Sequence, residues 1–169
     1  MKIFISGMPR VGKSTLVRRL VEEFKDKKIC GFFTPEIIEN GKRVGFFIEN
    51  ISTGSKKVFA HVSLNGVKFG KYKIDVKVLN EILKNTEECL EGADIIFIDE
   101  IGKMEFFSEK FRMFLNKILE TKISVVATVH RALTNEVRGK GKLIWLTREK
   151  RDEKFEEIKN YLKNSSITS

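Results

Sequence analysis

With 169 residues, 41% hydrophobic and 33% charged, the chain has the composition of a folded, soluble protein with room for one sizeable core. No apolar run approaches the roughly 20 residues that span a bilayer, so no membrane partner is expected. The net charge of +9 comes from Lys and Arg interspersed with acids, a solvated surface that argues against a specific nucleic-acid partner yet would attract a triphosphate.

In chain order, residues 2–6 read as a short apolar strand. Nothing ahead of it has the length of a secretory signal, and a cytoplasmic location is expected. The strand runs into Gly7-Met8-Pro9-Arg10-Val11-Gly12-Lys13-Ser14, the full Gly-x₄-Gly-Lys-Ser/Thr pattern of the Walker A loop. A helix over 13–25 follows, with Leu16, Val17, Leu20, Val21 and Phe24 on one face. A strand entering and a helix leaving make the loop a phosphate cradle, because the glycines let backbone N–H groups turn inward at the positive end of the helix. Lys13 would neutralise the β- and γ-phosphates, the Ser14 hydroxyl would hold Mg²⁺, and Thr15 could bond the α-phosphate.

Residues 29–33 form the next strand. Beyond Pro35, segments 36–39 and 42–50 are short strands joined at Asn40-Gly41, a strong hairpin signal. Segment 57–62 is a third, bracketed by turns at Thr53-Gly54-Ser55 and Asn65-Gly66. They read as a small antiparallel β insertion, about 36–62, within one domain spanning 1–163. Cys30 and Cys89 stand far apart with no His or Cys at ligand spacing, so buried free thiols are expected, without a disulfide framework or a zinc site. Asp75 should cap a helix carrying Val78, Leu79, Ile82, Leu83 and Leu90 and ended by Gly92.

The continuous apolar run 95–98 predicts a buried strand, 95–99, that delivers Asp99 and Glu100 at its C-terminal end. Parallel-sheet enzymes bind ligands at that end, so Asp99 should lie across from the glycine loop and hold Mg²⁺. Glu100, on the other side of the backbone, can orient or deprotonate an attacking water; a structural salt bridge is its alternative. Asp99-Glu100-Ile101-Gly102 also has the Asp-x-x-Gly spacing of GTPases, where the glycine N–H senses the γ-phosphate. Asn116-Lys117 falls inside a helix opened by Ser108, with Phe111, Phe114, Leu115, Ile118 and Leu119 on its core face. No base-reading motif is left.

Segments 124–129 and 143–147 are buried strands, 152–162 is a last helix, and 164–169 is a polar tail. After the first of these strands stand His130, a phosphate contact or a structural strand-end residue, and Arg131. Arg138 lies in Glu136-Val137-Arg138-Gly139-Lys140-Gly141, whose glycines suit a lid. Arg131 or Arg138 could stabilise charge on the γ-phosphate, worth roughly 10³–10⁵ in rate. Arg148 and Arg151 could flank the base or ribose. Alternating strands and helices predict a three-layer α/β fold around a mostly parallel sheet.

The glycine loop, the run Asp99-Glu100-Ile101-Gly102-Lys103-Met104-Glu105, Gly31-Phe32-Phe33-Thr34, Gly70-Lys71-Tyr72 with Asp75, and Thr147-Arg148-Glu149-Lys150-Arg151-Asp152 together resemble the thermostable nucleoside-triphosphatase family. These are P-loop NTPases related to the human cancer-related nucleoside-triphosphatase, and the likeness covers nearly the whole chain. It implies a P-loop NTPase fold of the additional-strand type, in which one strand separates the glycine-loop strand from the acidic strand. It also implies Mg²⁺-dependent hydrolysis of the terminal phosphoanhydride of ATP, GTP and other nucleoside triphosphates, with Lys13, Ser14, Asp99 and Glu100 carried over. Arg10, and Phe33 beside Thr34, depart from the residues expected there. Two other classes stay open: a small-molecule or nucleotide kinase whose β insertion covers an acceptor, and a nucleic-acid-coupled ATPase supported by charge alone. A monomer is expected.

Overall fold

The computed structural model of the protein describes residues 1–165. Strand β1 (Lys2–Gly7) leads through the glycine loop into helix α1 (Lys13–Glu23) and strand β2 (Ile29–Phe33). Five strands follow, β3 (Glu36–Glu39), β4 (Lys42–Asn50), β5 (Lys56–His61), β6 (Val67–Phe69) and β7 (Tyr72–Ile74). Then come α2 (Val76–Cys89), β8 (Ile95–Ile101), a 3₁₀ turn (Glu105–Phe107), α3 (Glu109–Glu120) and β9 (Ser124–Val129). A second 3₁₀ segment (Arg131–Val137), β10 (Lys142–Leu146) and α4 (Arg151–Ser165) complete the described residues.

All the strands join one sheet in the order β10-β1-β9-β8-β2-β4-β5-β7-β6, with β3 paired to β4. From β10 to β2 every pairing is parallel, and from β2 onward every pairing is antiparallel. Strand β9 separates β1 from β8, the additional-strand order the resemblance implies, and β10 flanks β1 on the other side.

The alternation of side chains along each strand divides the core between two faces. Ile3, Ile5, Ile95, Phe97 and Val126 pack with Leu16, Val17 and Leu20 of α1 and Phe155 and Ile158 of α4. Phe4, Ile96, Ile98, Val125 and Ala127 pack with Leu79, Ile82 and Leu83 of α2 and Phe111 and Phe114 of α3. The result is a three-layer sandwich. Asp75 caps α2, its carboxylate accepting from the amides of Lys77 and Val78, and Ser108 caps α3 through the amide of Phe111.

Several expectations change. The antiparallel part runs to Ile74 and includes β6 and β7, which segments of 3 residues each made too short to read by period. Helix α4 begins at Arg151 and continues to Ser165, past the expected end at 162. The start of the expected polar tail is therefore helical, and its remainder, 166–169, lies outside the described residues. Most plainly, Cys30 and Cys89 are not free thiols. They form a disulfide, with Cα atoms 5.9 Å apart, because the end of α2 packs against β2. Sequence separation of 59 residues hid that proximity.

Candidate active site

The parallel register carries the ends of β1, β8 and β9 to one edge of the sheet. Ile95 and Phe97 face α1, and Asp99 continues that parity on β8. The peptide bond between Asp99 and Glu100 is cis. The glycine loop leaves β1 beside them and closes onto α1 at Gly12, whose φ of 99° is a conformation that glycine adopts without penalty.

These elements enclose a cleft of about 400 Å³ whose lining includes Gly7, Pro9, Arg10, Lys13, Ser14, Asp99, Glu100, His130 and Arg131. The Lys13 ammonium donates to the carbonyls of Gly7 at 3.2 Å and Met8 at 3.0 Å, so it lies over the mouth of the loop. Desolvation lowers its pKa, against the opposing pull of Glu100 and Asp99. Val11 turns its side chain to the α1–α4 core.

Asp99 is buried, and burial raises its pKa, opposed by hydrogen bonds from Thr128 and Ser14 and by the charges of Arg18 and Lys13. Thr128 Oγ1 donates to Asp99 Oδ1 at 2.6 Å, and Thr34 Oγ1 donates to the Asp99 carbonyl at 2.9 Å. Ser14 and Asp99 thus present two hard oxygens side by side. No group of three or more His, Cys, Asp or Glu among the described residues could hold a metal unaided. Mg²⁺ takes one or two protein oxygens and completes its shell from water and phosphate, so this donor pair fits it.

Glu100 has its pKa pushed up to about 7, first by burial and then by the neighbouring Asp99, with Lys13 and Arg43 pulling the other way. A carboxyl group with that value sits near neutrality, where proton transfer is best balanced. Behind it lies Glu105, 1% exposed, with Oε2 lacking a hydrogen-bond partner. Burial and then Glu100 push its pKa up to about 8. Gly102 separates the two acids. A Cβ there would lie 2.6 Å from Glu105 Oε2 and 2.9 Å from Glu100 Oε1, so any side chain at this position would push the two carboxyl groups from their places. Its backbone hydrogen-bonds the Glu105 carboxyl.

The arginines divide. Arg131 lines the cleft and points Nη1 at Met8 Sδ, 3.2 Å away. Arg138 is exposed and lies outside that lining. The segment around it is pinned rather than loose: Val137 is buried, Glu136 pairs with Arg112 at 3.2 Å, and Gly141 abuts the Lys2 backbone. His130 accepts from the Ala132 amide at 3.2 Å and starts the 3₁₀ segment, so it has a structural role. Burial and then Lys103, Arg131 and Lys13 lower its pKa, which keeps it neutral at neutral pH. On the other side of the loop a hollow of about 130 Å³ is lined by Gly12, Thr15, Arg19, Arg148 and Arg151. Arg148 donates to the Arg10 carbonyl at 3.4 Å, and Arg151 donates to the Arg148 carbonyl at 3.1 Å.

Sequence reasoning missed one wall of the cleft. Glu36, Arg43, Phe46, Phe69 and Tyr72, all from the antiparallel strands, line it together with Thr34, Lys103, Met104 and Glu105. Thr34, Tyr72, Lys103, Met104 and Glu105 stood inside the quoted runs without a role. Nothing in the spacing of Glu36, Arg43, Phe46 and Phe69 marks them, since pairing across the sheet brings them to the site.

Comparison with known proteins shows the family and the fold. A family model described as NTPase matches residues 2–159. The chain is 41% identical over 163 residues to nucleoside-triphosphatase THEP1 of Methanocaldococcus jannaschii, covering 95% of this chain and 96% of that protein. It is 39% identical over 161 residues to nucleoside-triphosphatase THEP1 of Pyrococcus abyssi, covering 94% and 90%. The crystal structure of THEP1 from Aquifex aeolicus superposes with a TM-score of 0.83 at 37% identity, covering 96% of this chain and 99% of that one. The solution structure of a human cancer-related nucleoside triphosphatase gives 0.79 at 27% identity, with 97% and 98% covered.

Proposed function

The chain belongs to the NTPase family, and from that premise we propose that it hydrolyses the terminal phosphoanhydride of nucleoside triphosphates in the cleft between the glycine loop and the end of β8. One observation carries the assignment of the site: Lys13 and Ser14 of the loop and Asp99 and Glu100 of β8 line a single cleft. The inward N–H groups of the loop bind the phosphate chain, and Lys13 neutralises its β and γ groups. Ser14 and Asp99 would hold Mg²⁺, which would supply positive charge against the phosphate oxygens.

Glu100 then holds the attacking water in line with the leaving diphosphate and accepts its proton. Arg131, at the rim of the same cleft, meets the charge that grows on the γ-oxygens. The base and ribose rest in the hollow by Thr15, Arg148 and Arg151. Arginines, Asp152 and loop backbone line that hollow and no base-reading motif accompanies them in the sequence, which supports use of ATP, GTP and others. We read residues 1–163 as one domain acting as a monomer in the cytoplasm. Among the described residues no helix is long and apolar enough to cross a membrane.

Phosphate release measured against ATP, GTP, CTP and UTP tests the reading. Turnover of more than one triphosphate is expected, abolished by chelator and restored by Mg²⁺ or Mn²⁺, and nearly lost in Lys13→Ala. Full activity in excess chelator would remove the Ser14–Asp99 metal assignment.

A further inference from the structure

Hydrolysis needs room beside the terminal phosphate for one water, whose share of liquid volume is about 30 Å³. The cleft measures about 400 Å³, within the roughly 300–1,000 Å³ of small-molecule sites. The loop, Lys13, Ser14 and Asp99 claim only one end of it for phosphate. In the proposed function the base and ribose take the separate hollow by Thr15, Arg148 and Arg151.

The far end is built as a binding wall. Phe46, Phe69 and Tyr72 contribute aromatic rings to its lining, and Phe46 meets Tyr72 edge-on with ring centres 5.5 Å apart. Arg43 lies over Phe46, 5.1 Å from the ring centre, and is fixed by its own bonds. Its Nε donates to the Tyr72 hydroxyl and its Nη1 to Glu36, each at 2.9 Å. Clamped in this way, the polar groups keep their places without a ligand, and the Glu36 carboxylate remains half-exposed at the rim. Rings beside a fixed carboxylate recognise a flat heterocycle that carries N–H donors. A single water needs none of these groups.

We propose that this wall is an acceptor site, and that the protein also transfers the terminal phosphoryl group to the primary hydroxyl of a nucleoside seated between Phe46, Phe69, Tyr72 and Glu100. The proposal rests on the reading that the triphosphate occupies the glycine loop. The nucleoside oxygen takes the place of the attacking water and forms a new bond to the γ-phosphorus. The bond from that phosphorus to the β–γ bridging oxygen breaks, and its electron pair leaves with the nucleoside diphosphate. Glu100 takes the hydroxyl proton. The products are a nucleoside monophosphate and a nucleoside diphosphate, with no change of oxidation state. Water and nucleoside compete for one position, so transfer should grow at the expense of hydrolysis.

The test incubates the full-length protein with Mg²⁺, γ-labelled ATP and, in turn, adenosine, guanosine, cytidine or uridine, then separates the labelled products. The expected result is label in the monophosphate of at least one nucleoside, saturating with its concentration. Phe46→Ala and Glu36→Ala, made separately, should cut that share at least tenfold while label still leaves ATP. Label recovered only as inorganic phosphate with every nucleoside would overturn the acceptor site and leave hydrolysis standing. Transfer unchanged in both variants would overturn its placement on this wall. Failure of any label to leave ATP would instead sink the hydrolase reading beneath it.

Discussion

Glu105 shows how far a side chain's chemistry can depart from what its sequence position announces. An acid three residues past the loop glycine Gly102 would be taken as solvated, yet it is buried against Glu100 with its pKa pushed up to about 8. Between its ordinary value of 4.5 and about 8 the folded state holds a proton that the unfolded state has released, so stability falls as pH rises through that window. Glu105→Gln, neutral at every pH, should flatten this slope and make the protein relatively more stable at pH 8 than at pH 5. Urea unfolding of parent and variant at both pH values measures it, and an unchanged slope would place the titration elsewhere. The arginines make a second residue-scale prediction. Arg131 lines the cleft and Arg138 does not, so Arg131→Ala should lower kcat by at least about 10²-fold with little loss of affinity. Arg138→Ala should stay within a few-fold. The reverse ranking would mean that the segment pinned by Glu136 and Gly141 rearranges when substrate binds.

Among the elements, those with a strong local cause were legible and those with a tertiary cause were not. Asn40-Gly41 has φ values of 50° and 73°, the left-handed pair that a two-residue hairpin requires, and β3 and β4 came out as read. The apolar run of β8 and the cap at Asp75 were equally local signals. Strands β6 and β7 were hidden because their order comes from pairing with each other and with β5. The glycine loop and the Asp99-Glu100 pair were readable because their chemistry lies in contiguous residues. Thr128, which holds Asp99, comes from another strand 29 positions away. The Cys30–Cys89 link is tertiary in the same way. Closing a loop of this length is worth about 4 kcal/mol in the chain-entropy account, with typical values of about 2–4. Cys89→Ala should therefore lower unfolding free energy by about 2–4 kcal/mol with little effect on turnover, since neither cysteine lines the cleft. Denaturant unfolding of the variant beside the parent checks this. A loss well below 1 kcal/mol would show that the link contributes little.

For the whole molecule, the sheet does two jobs along its width. Its parallel half brings β1, β8 and β9 to one edge and so aligns the loop with Asp99 and Glu100. Its antiparallel half adds the aromatic wall that closes the other side of the same cleft. The proposed function assigns binding and chemistry to different groups, giving the phosphates and metal to Lys13, Ser14 and Asp99 and the water to Glu100. General-base assistance is typically worth about 10²–10⁴ in rate. Glu100→Gln keeps the shape of the side chain and removes its basicity. The most direct test measures equilibrium binding of labelled triphosphate with Mg²⁺ and single-turnover hydrolysis on one preparation of this variant. Binding as tight as the parent's, with the chemical step slowed at least about 10²-fold, is the predicted result. A near-normal single-turnover rate would contradict the account and leave Glu100 with a structural role alone.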